Sequence, residues 1–268
     1  MKRYLALAGM TLAVCALACA QEVSAGDRVV VPARNSTRPR LVDAAMTNGS
    51  ITVKSYSGNE VIVETSGRSS REGRNRTYDG LRRIDVPPGG LNVEEEDNVV
   101  TVRMHGAPTA DLVITVPVNT SLRLKSTNGS ISAEGVHGEI DASTTNGRVN
   151  LMNVSGTVVT DSHNGAVRVV MDRVDPGKPM SFSSFNGDID VTFPADFKGN
   201  LKLRANRGEI YSDFDMKLTP GGNITERNDT PEGRYRVRVE RMITGTINGG
   251  GTEASFSTFN GKILIRKK

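Results

Sequence analysis

An Asn-Gly dipeptide keeps returning in this chain, at Asn48-Gly49, Asn128-Gly129, Asn146-Gly147, Asn164-Gly165, Asn186-Gly187 and Asn260-Gly261. After each Gly, polar and branched residues alternate, as in Ser50-Ile51-Thr52-Val53, Arg148-Val149-Asn150-Leu151, Asp188-Ile189-Asp190-Val191 and Lys262-Ile263-Leu264-Ile265. Alternation with period two sends every second side chain to one face, the signature of a half-buried strand. A chain that repeats a turn and then a strand is built from copies of one unit, none of which buries its apolar face alone. Asn-Gly tolerates positive φ at both positions, so the dipeptides are expected to be tight corners.

Spacing separates stacked coils from ordinary hairpins. Asn128, Asn146 and Asn164 lie 18 residues apart, and other columns keep that register: Ile131, Val149 and Val167; Ala133, Leu151 and Val169; Ile140 and Val158. The interval widens to 22 residues between Asn164 and Asn186, and Asn206-Arg207-Gly208-Glu209-Ile210 reads as a degenerate copy. A sandwich of hairpins also uses Asn-Gly turns, but a constant register points to an all-β, repetitive β-solenoid of about 18–22 residues per coil, with aligned side chains about 4.8 Å apart. Nowhere in the mature chain does the apolar spacing of a long helix persist. Ser57-Gly58-Asn59, between Ile51-Thr52-Val53 and Val61-Ile62-Val63, reads as a hairpin turn.

The first twenty residues have a different character. Lys2 and Arg3 precede an apolar run from Leu5 to Ala18, and Ala18-Cys19-Ala20 reads as a small-x-small cleavage site. This is the layout of a secretory signal peptide over 1–20, too short for a spanning helix, and no second apolar stretch of membrane length follows. Ala16-Leu17-Ala18-Cys19 also resembles a lipoprotein box, so lipid anchoring through Cys19 stands as the alternative to simple cleavage. Both cysteines, Cys15 and Cys19, leave with the signal, so no disulfide is expected despite an oxidising destination. Two of the 34 basic residues also leave, against 30 acidic ones that stay, which removes the basis for a nucleic-acid partner. The reading is therefore an exported protein of the periplasm or cell envelope, or a secreted one.

Residues 21–40 are polar, carry Pro32 and Pro39, and read as a linker or a loosely held first strand. The repeat domain then runs over 41–268. The segment 67–83 interrupts it with an Arg-rich, apolar-poor stretch expected to be an exposed loop.

These motifs resemble the DUF4097 family. The resemblance rests on Thr47-Asn48-Gly49-Ser50-Ile51, on the repeated Gly-x-[Ile/Val]-x-x-[Ser/Thr]-x-x-Asn-Gly-x-[Ile/Val] units, and on the closing Ile247-Asn248-Gly249-Gly250-Gly251 and Ser257-Thr258-Phe259-Asn260-Gly261-Lys262-Ile263-Leu264-Ile265. It covers Leu41 to the C-terminus. It implies a bacterial envelope domain of the toastrack type, a group often labelled adhesins by inference and given sensing or binding roles. Related domains are often joined to membrane segments, which this chain does not show after its signal.

Candidate chemistry is sparse. No cofactor is expected, and the Asn-Gly pairs read as structural turns. His105, His137 and His163 fall in no evident pair, and no Cys cluster accompanies them, so zinc is not supported. Asp141, Asp161, Asp172, Asp175, Asp188 and Asp190 lack the spacing of a calcium β-roll. An enzyme acting on acidic polysaccharide would need a base and charge-stabilising groups on one face, for which Lys125, Arg148, Arg168, Asp141 and Asp188 are the candidates. The stronger binding feature is the loop, where Arg68, Arg71, Arg74, Arg76, Arg82 and Arg83 face only Glu72 and Asp79. Guanidinium groups in that number suit an anionic lipid headgroup or glycan, or an envelope protein. The expected function is non-enzymatic binding, adhesion or envelope sensing; the alternative is a polysaccharide-active β-helix enzyme.

Overall fold

The computed structural model describes residues 27–34, 38–67, 90–104, 110–227 and 236–268. The expected signal peptide, His105 and all six loop arginines lie outside the described residues. Every regular element among those described is a strand. The first end of the molecule holds β1 (Arg28–Val31), β2 (Arg40–Asn48), β3 (Ile51–Tyr56), β4 (Val61–Gly67), β5 (Leu91–Glu96), β6 (Val99–Met104) and β7 (Ala110–Pro117). The middle holds β8 (Thr120–Asn128), β9 (Ile131–Glu134), β10 (His137–Asn146), β11 (Val149–Asn164), β12 (Val167–Val174), β13 (Met180–Asn186) and β14 (Ile189–Phe193). The far end holds β15 (Gly199–Arg207), β16 (Ile210–Ser212), β17 (Met216–Arg227), β18 (Arg236–Ile247), β19 (Thr252–Asn260) and β20 (Ile263–Lys267).

Six coils are a long strand, an Asn-Gly corner and a second strand, and in β15–β16 Arg207-Gly208 takes the corner. Stacked in parallel, the strands before the corner form one face, in the order β6-β2-β8-β10-β11-β13-β19-β15. The strands after it form the other, in the order β7-β3-β9-β11-β12-β14-β20-β16. β11 serves both faces, its first residues in the second and its last in the first. The solenoid expected from the 18-residue register is thus present, and its columns pair as the sequence predicts: Ile131 with Val149, Val149 with Val167, and Ile140 with Val158. The extra residues between Asn164 and Asn186 fall in the turn between β12 and β13, where Gly177 takes φ +87°.

The order of coils does not follow the chain. The β2–β3 coil stacks on β8–β9, and the later β6–β7 lies outside it. At the far end the β19–β20 coil, last in sequence, slots between β13–β14 and β15–β16. The supposed hairpin around Ser57-Gly58-Asn59 is corrected for the same reason. β3 pairs with β7 and β9, whereas β4 pairs antiparallel with β7 and β1, so β7 stands between the two strands. Within 21–40, β1 is a paired strand rather than free chain.

Inward columns make the core. Ile51, Ile131, Val149, Val167, Ile189 and Ile263 are buried along one line after the corner. Before the corner, the column Ala44, Leu124, Ala142, Thr160, Phe182 and Phe256 grows bulkier toward the far end. There Phe182 and Phe256 stack at 4.9 Å, with Phe193 edge-on to both. Antiparallel strands cap the parallel stack: β5 and β4 at the first end, the β17–β18 hairpin at the other. β16, the outermost strand of the second face among those described, has three residues, too few to recruit another chain easily. The first cap is pinned by Arg40, 5% exposed, whose guanidinium donates to Glu95 at 2.8 Å, to the Pro32 carbonyl at 2.7 Å and to the Asn59 carbonyl at 3.2 Å.

Candidate ligand-binding face

The corner motif explains itself once its three positions are taken in turn. The Asn side chains form a ladder along the stack. Asn260 donates to Asn186 at 2.8 Å, Asn186 to Asn164 at 2.9 Å, Asn164 to Asn146 at 2.9 Å, Asn146 to Asn128 at 2.8 Å and Asn128 to Asn48 at 2.9 Å. All five point the same way, so each amide polarises the next. The Gly that follows is required by close approach. A Cβ on Gly129, Gly147, Gly165 or Gly187 would lie 1.8–2.2 Å from the carbonyl oxygen of the Gly one coil away. This corrects the expectation of positive φ: the corner asparagines are all outside the left-handed region, and among the corner glycines only Gly49 (+126°) and Gly261 (+157°) enter it.

A third position escaped the sequence reading. Two residues before Asn at five of the six corners, a buried hydroxyl donates to the corner Gly carbonyl of the adjoining coil: Ser126 to Gly49 at 3.4 Å, Thr144 to Gly129 at 2.9 Å, Ser162 to Gly147 at 3.0 Å, Ser184 to Gly165 at 3.0 Å and Thr258 to Gly187 at 3.1 Å, while Met46 holds the position before Asn48. The signal was present as Ser/Thr-x-Asn-Gly. It is masked by the hydroxyls on either side of it, Thr47, Thr127 and Thr145 one residue before Asn and Ser143, Ser183 and Ser257 three before.

With the corners committed to structure, the outward columns before them are free to vary. The column directly before Asn reads Thr47, Thr127, Thr145, His163, Phe185, Phe259. Its second half is an aromatic rail. His163 and Phe185 stack at 4.9 Å with 6° between planes, and Phe185 and Phe259 at 4.8 Å with 1°. Arg207, which takes the register of Asn260 in the next coil, places its guanidinium carbon 5.4 Å from the Phe259 ring centre. Phe185 remains 43% exposed with a ring on each side. Two residues upstream runs a polar column of Asp161, Ser183, Ser257 and Arg204, in which Ser183 donates to Asp161. Rail and polar column line a shallow groove of about 340 Å³.

The other sequence candidates separate. Lys125 and Asp141 lie on the face before the corner, in β8 and β10, while Arg148, Arg168 and Asp188 come after it, between β10 and β14. The five residues proposed for polysaccharide cleavage therefore belong to two different faces and form no set. A second groove, of about 440 Å³, does hold Arg123, Glu139 and Asp141. Two of these charges are engaged: Arg123 pairs with Asp43 at 3.4 Å, and Glu139 with Lys178. The hydrogen bond from Lys178 to Glu139 raises the lysine pKa above its ordinary 10.5. Among the described residues no three His, Cys, Asp or Glu side chains converge as a metal site, and no helix is long and apolar enough to cross a membrane.

The architecture defines a repeat-built β-solenoid whose corners are structural and whose outer columns are variable. The chain matches the Toastrack DUF4097 family over residues 41–247, more than half its length, and belongs to that family. Two solved structures are similar across most of the chain. One, from Clostridium sporogenes ATCC 15579 and provisionally named a cell adhesion protein, is 11% identical, covers 91% of this chain and 100% of its own, and gives a TM-score of 0.38. The other, from Bacteroides fragilis NCTC 9343 and provisionally named an adhesin, is 13% identical, covers 90% of this chain and 97% of its own, and gives a TM-score of 0.40. No curated protein matches the chain.

Proposed function

We propose that this protein is an exported, non-enzymatic binding module of the cell envelope, and that it recognises its partner through the outer face before the corner. The observation that carries this reading is the rail of exposed, mutually stacked rings, held rigid by a ladder of five side-chain hydrogen bonds. Large aromatics left exposed on a rigid scaffold serve contact better than solubility. The scattering of the five cleavage candidates over two faces weighs against the enzyme alternative.

The arginines of 67–83 are a second contact in this proposal, reserved for anionic lipid or glycan. Their segment leaves the described chain at Gly67 in β4 and returns at Gly90 before β5, both at the first end, whereas the rail lies on the coils of the other half. Retention of the purified protein on envelope extract tests the reading. Replacing Phe185 and Phe259 with Ser should abolish retention, and replacing the six arginines with Ser should weaken it at low salt, with folding intact in both. Retention unchanged by the Phe substitutions refutes the proposed face. Hydrolysis or elimination of acidic polysaccharide, abolished by one point substitution, would instead establish the enzyme.

A further inference from the structure

The rail is one side chain wide, and that width narrows the partner. On one side it is bordered by the exposed corner amides of Asn164 and Asn186, on the other by Asp161, Ser183 and Ser257. A bilayer, or the apolar centre of a protein interface, needs a two-dimensional apolar patch; a single file bounded by amides and hydroxyls does not supply one. Stacking also covers much of each ring face, so ring edges contribute to the outward surface. An aromatic quadrupole is positive at its edge and negative on its face, so those edges favour oxygen atoms. Amide, hydroxyl and carboxylate groups flanking the rings then offer both donors and acceptors at each coil. Contacts of one kind recur along the axis at one strand spacing, about 4.8 Å. A partner that suits this is extended, oxygen-rich and itself periodic.

Building on the binding function proposed above, we infer that the groove between the His163–Phe185–Phe259 rail and the Asp161–Ser183–Ser257 column binds a linear glycan lying along the solenoid axis. Acidic sugars are preferred over neutral ones. The basis is charge: Arg207 closes the rail at the Phe259 end and Arg204 closes the polar column beside it. A planar guanidinium at that end can take a sugar carboxylate in a two-point contact. Asp161, at the opposite end, accepts from Ser183 and remains available for sugar hydroxyls.

The experiment is calorimetric titration of the purified protein with three hexasaccharides, hexagalacturonate, a hyaluronan fragment and uncharged cellohexaose, and with phosphatidylglycerol vesicles. An acidic hexasaccharide should bind at least several-fold more tightly than cellohexaose. Phe185→Ala should weaken that binding about tenfold. Arg207→Gln should reduce the preference for the acidic glycan while leaving cellohexaose binding near its starting value. Circular dichroism and thermal unfolding of both variants serve as folding controls. The inference is overturned if none of the three oligosaccharides binds, if Phe185→Ala leaves binding unchanged, or if vesicles alone bind in a Phe185-dependent way. Should the oligosaccharides fail while envelope retention still depends on Phe185 and Phe259, the glycan falls and the binding face stands. Should retention also be indifferent to these rings, both fall.

Discussion

Two adjacent columns of the same solenoid obey opposite rules. The Asn column is identical from Asn48 to Asn260, and changes only where Arg207 takes the register beyond it. The column one residue earlier reads threonine over the first coils and His163, Phe185 and Phe259 over the later ones. Backbone, strand pairing and spacing are the same for both, so the difference lies in what each side chain touches. An Asn at an inner corner, Asn128 to Asn186, bonds to its counterparts above and below, so replacing it with an apolar side chain breaks two bonds at once. A residue beside it points outward, meets like residues of neighbouring coils, and is free to change without disturbing the corner.

The sharpest way to break that contrast is Gly147→Ala. Its Cβ would stand 2.0 Å from the Gly129 carbonyl oxygen, with backbone rather than a flexible side chain in the way. Destabilisation of about 3 kcal/mol or more is expected in denaturant unfolding. Gly177→Ala is the control: φ is +87° but nothing lies within 4 Å, so only backbone strain of about 1 kcal/mol should appear. Equal losses at the two sites would refute the close-approach account. Asn146→Ala, which removes both the bond to Asn128 and the bond from Asn164, should cost about 1–2 kcal/mol. Thr144→Val leaves the Gly129 carbonyl without its hydroxyl donor and should cost about 1 kcal/mol. Phe185→Ala, which loses two ring contacts on a partly exposed side chain, should likewise cost only about 1 kcal/mol in stability, well short of Gly147→Ala. A Phe185 variant as damaged as the Gly147 variant would make the rail a structural column and erase the distinction.

Much of the fold was legible because it is local. Alternation names the strands, Asn-Gly names the corners, and the 18-residue interval sets the coil. At the corner, a dipeptide favoured in hairpins by its φ is used instead for the space between carbonyls. Only the structure shows that space, because the obstructing atom belongs to another coil. The rail was half visible: His163 could be seen to hold the position of Thr127 and Thr145. Its union with Phe259 could not, since Phe259 lies 74 residues beyond Phe185 in the chain and reaches it only because β19 pairs with β13.

The sequence by itself determined that this chain is an all-β stack of corner-and-strand units, because period two and a fixed coil length leave few other ways to bury Ile and Val. Tertiary structure decided which unit lies on which. The coils with corners at Asn128, Asn146, Asn164, Asn186 and Asn260 offer the same strand edges and the same Asn, Gly and hydroxyl column, so local pattern gives no preference among them. Bulk does: the β19–β20 coil sits on β13–β14, where Phe256 packs against Phe182 and Phe193 inside and Phe259 meets Phe185 outside. That choice, made by packing across the stack, is what assembles the rail.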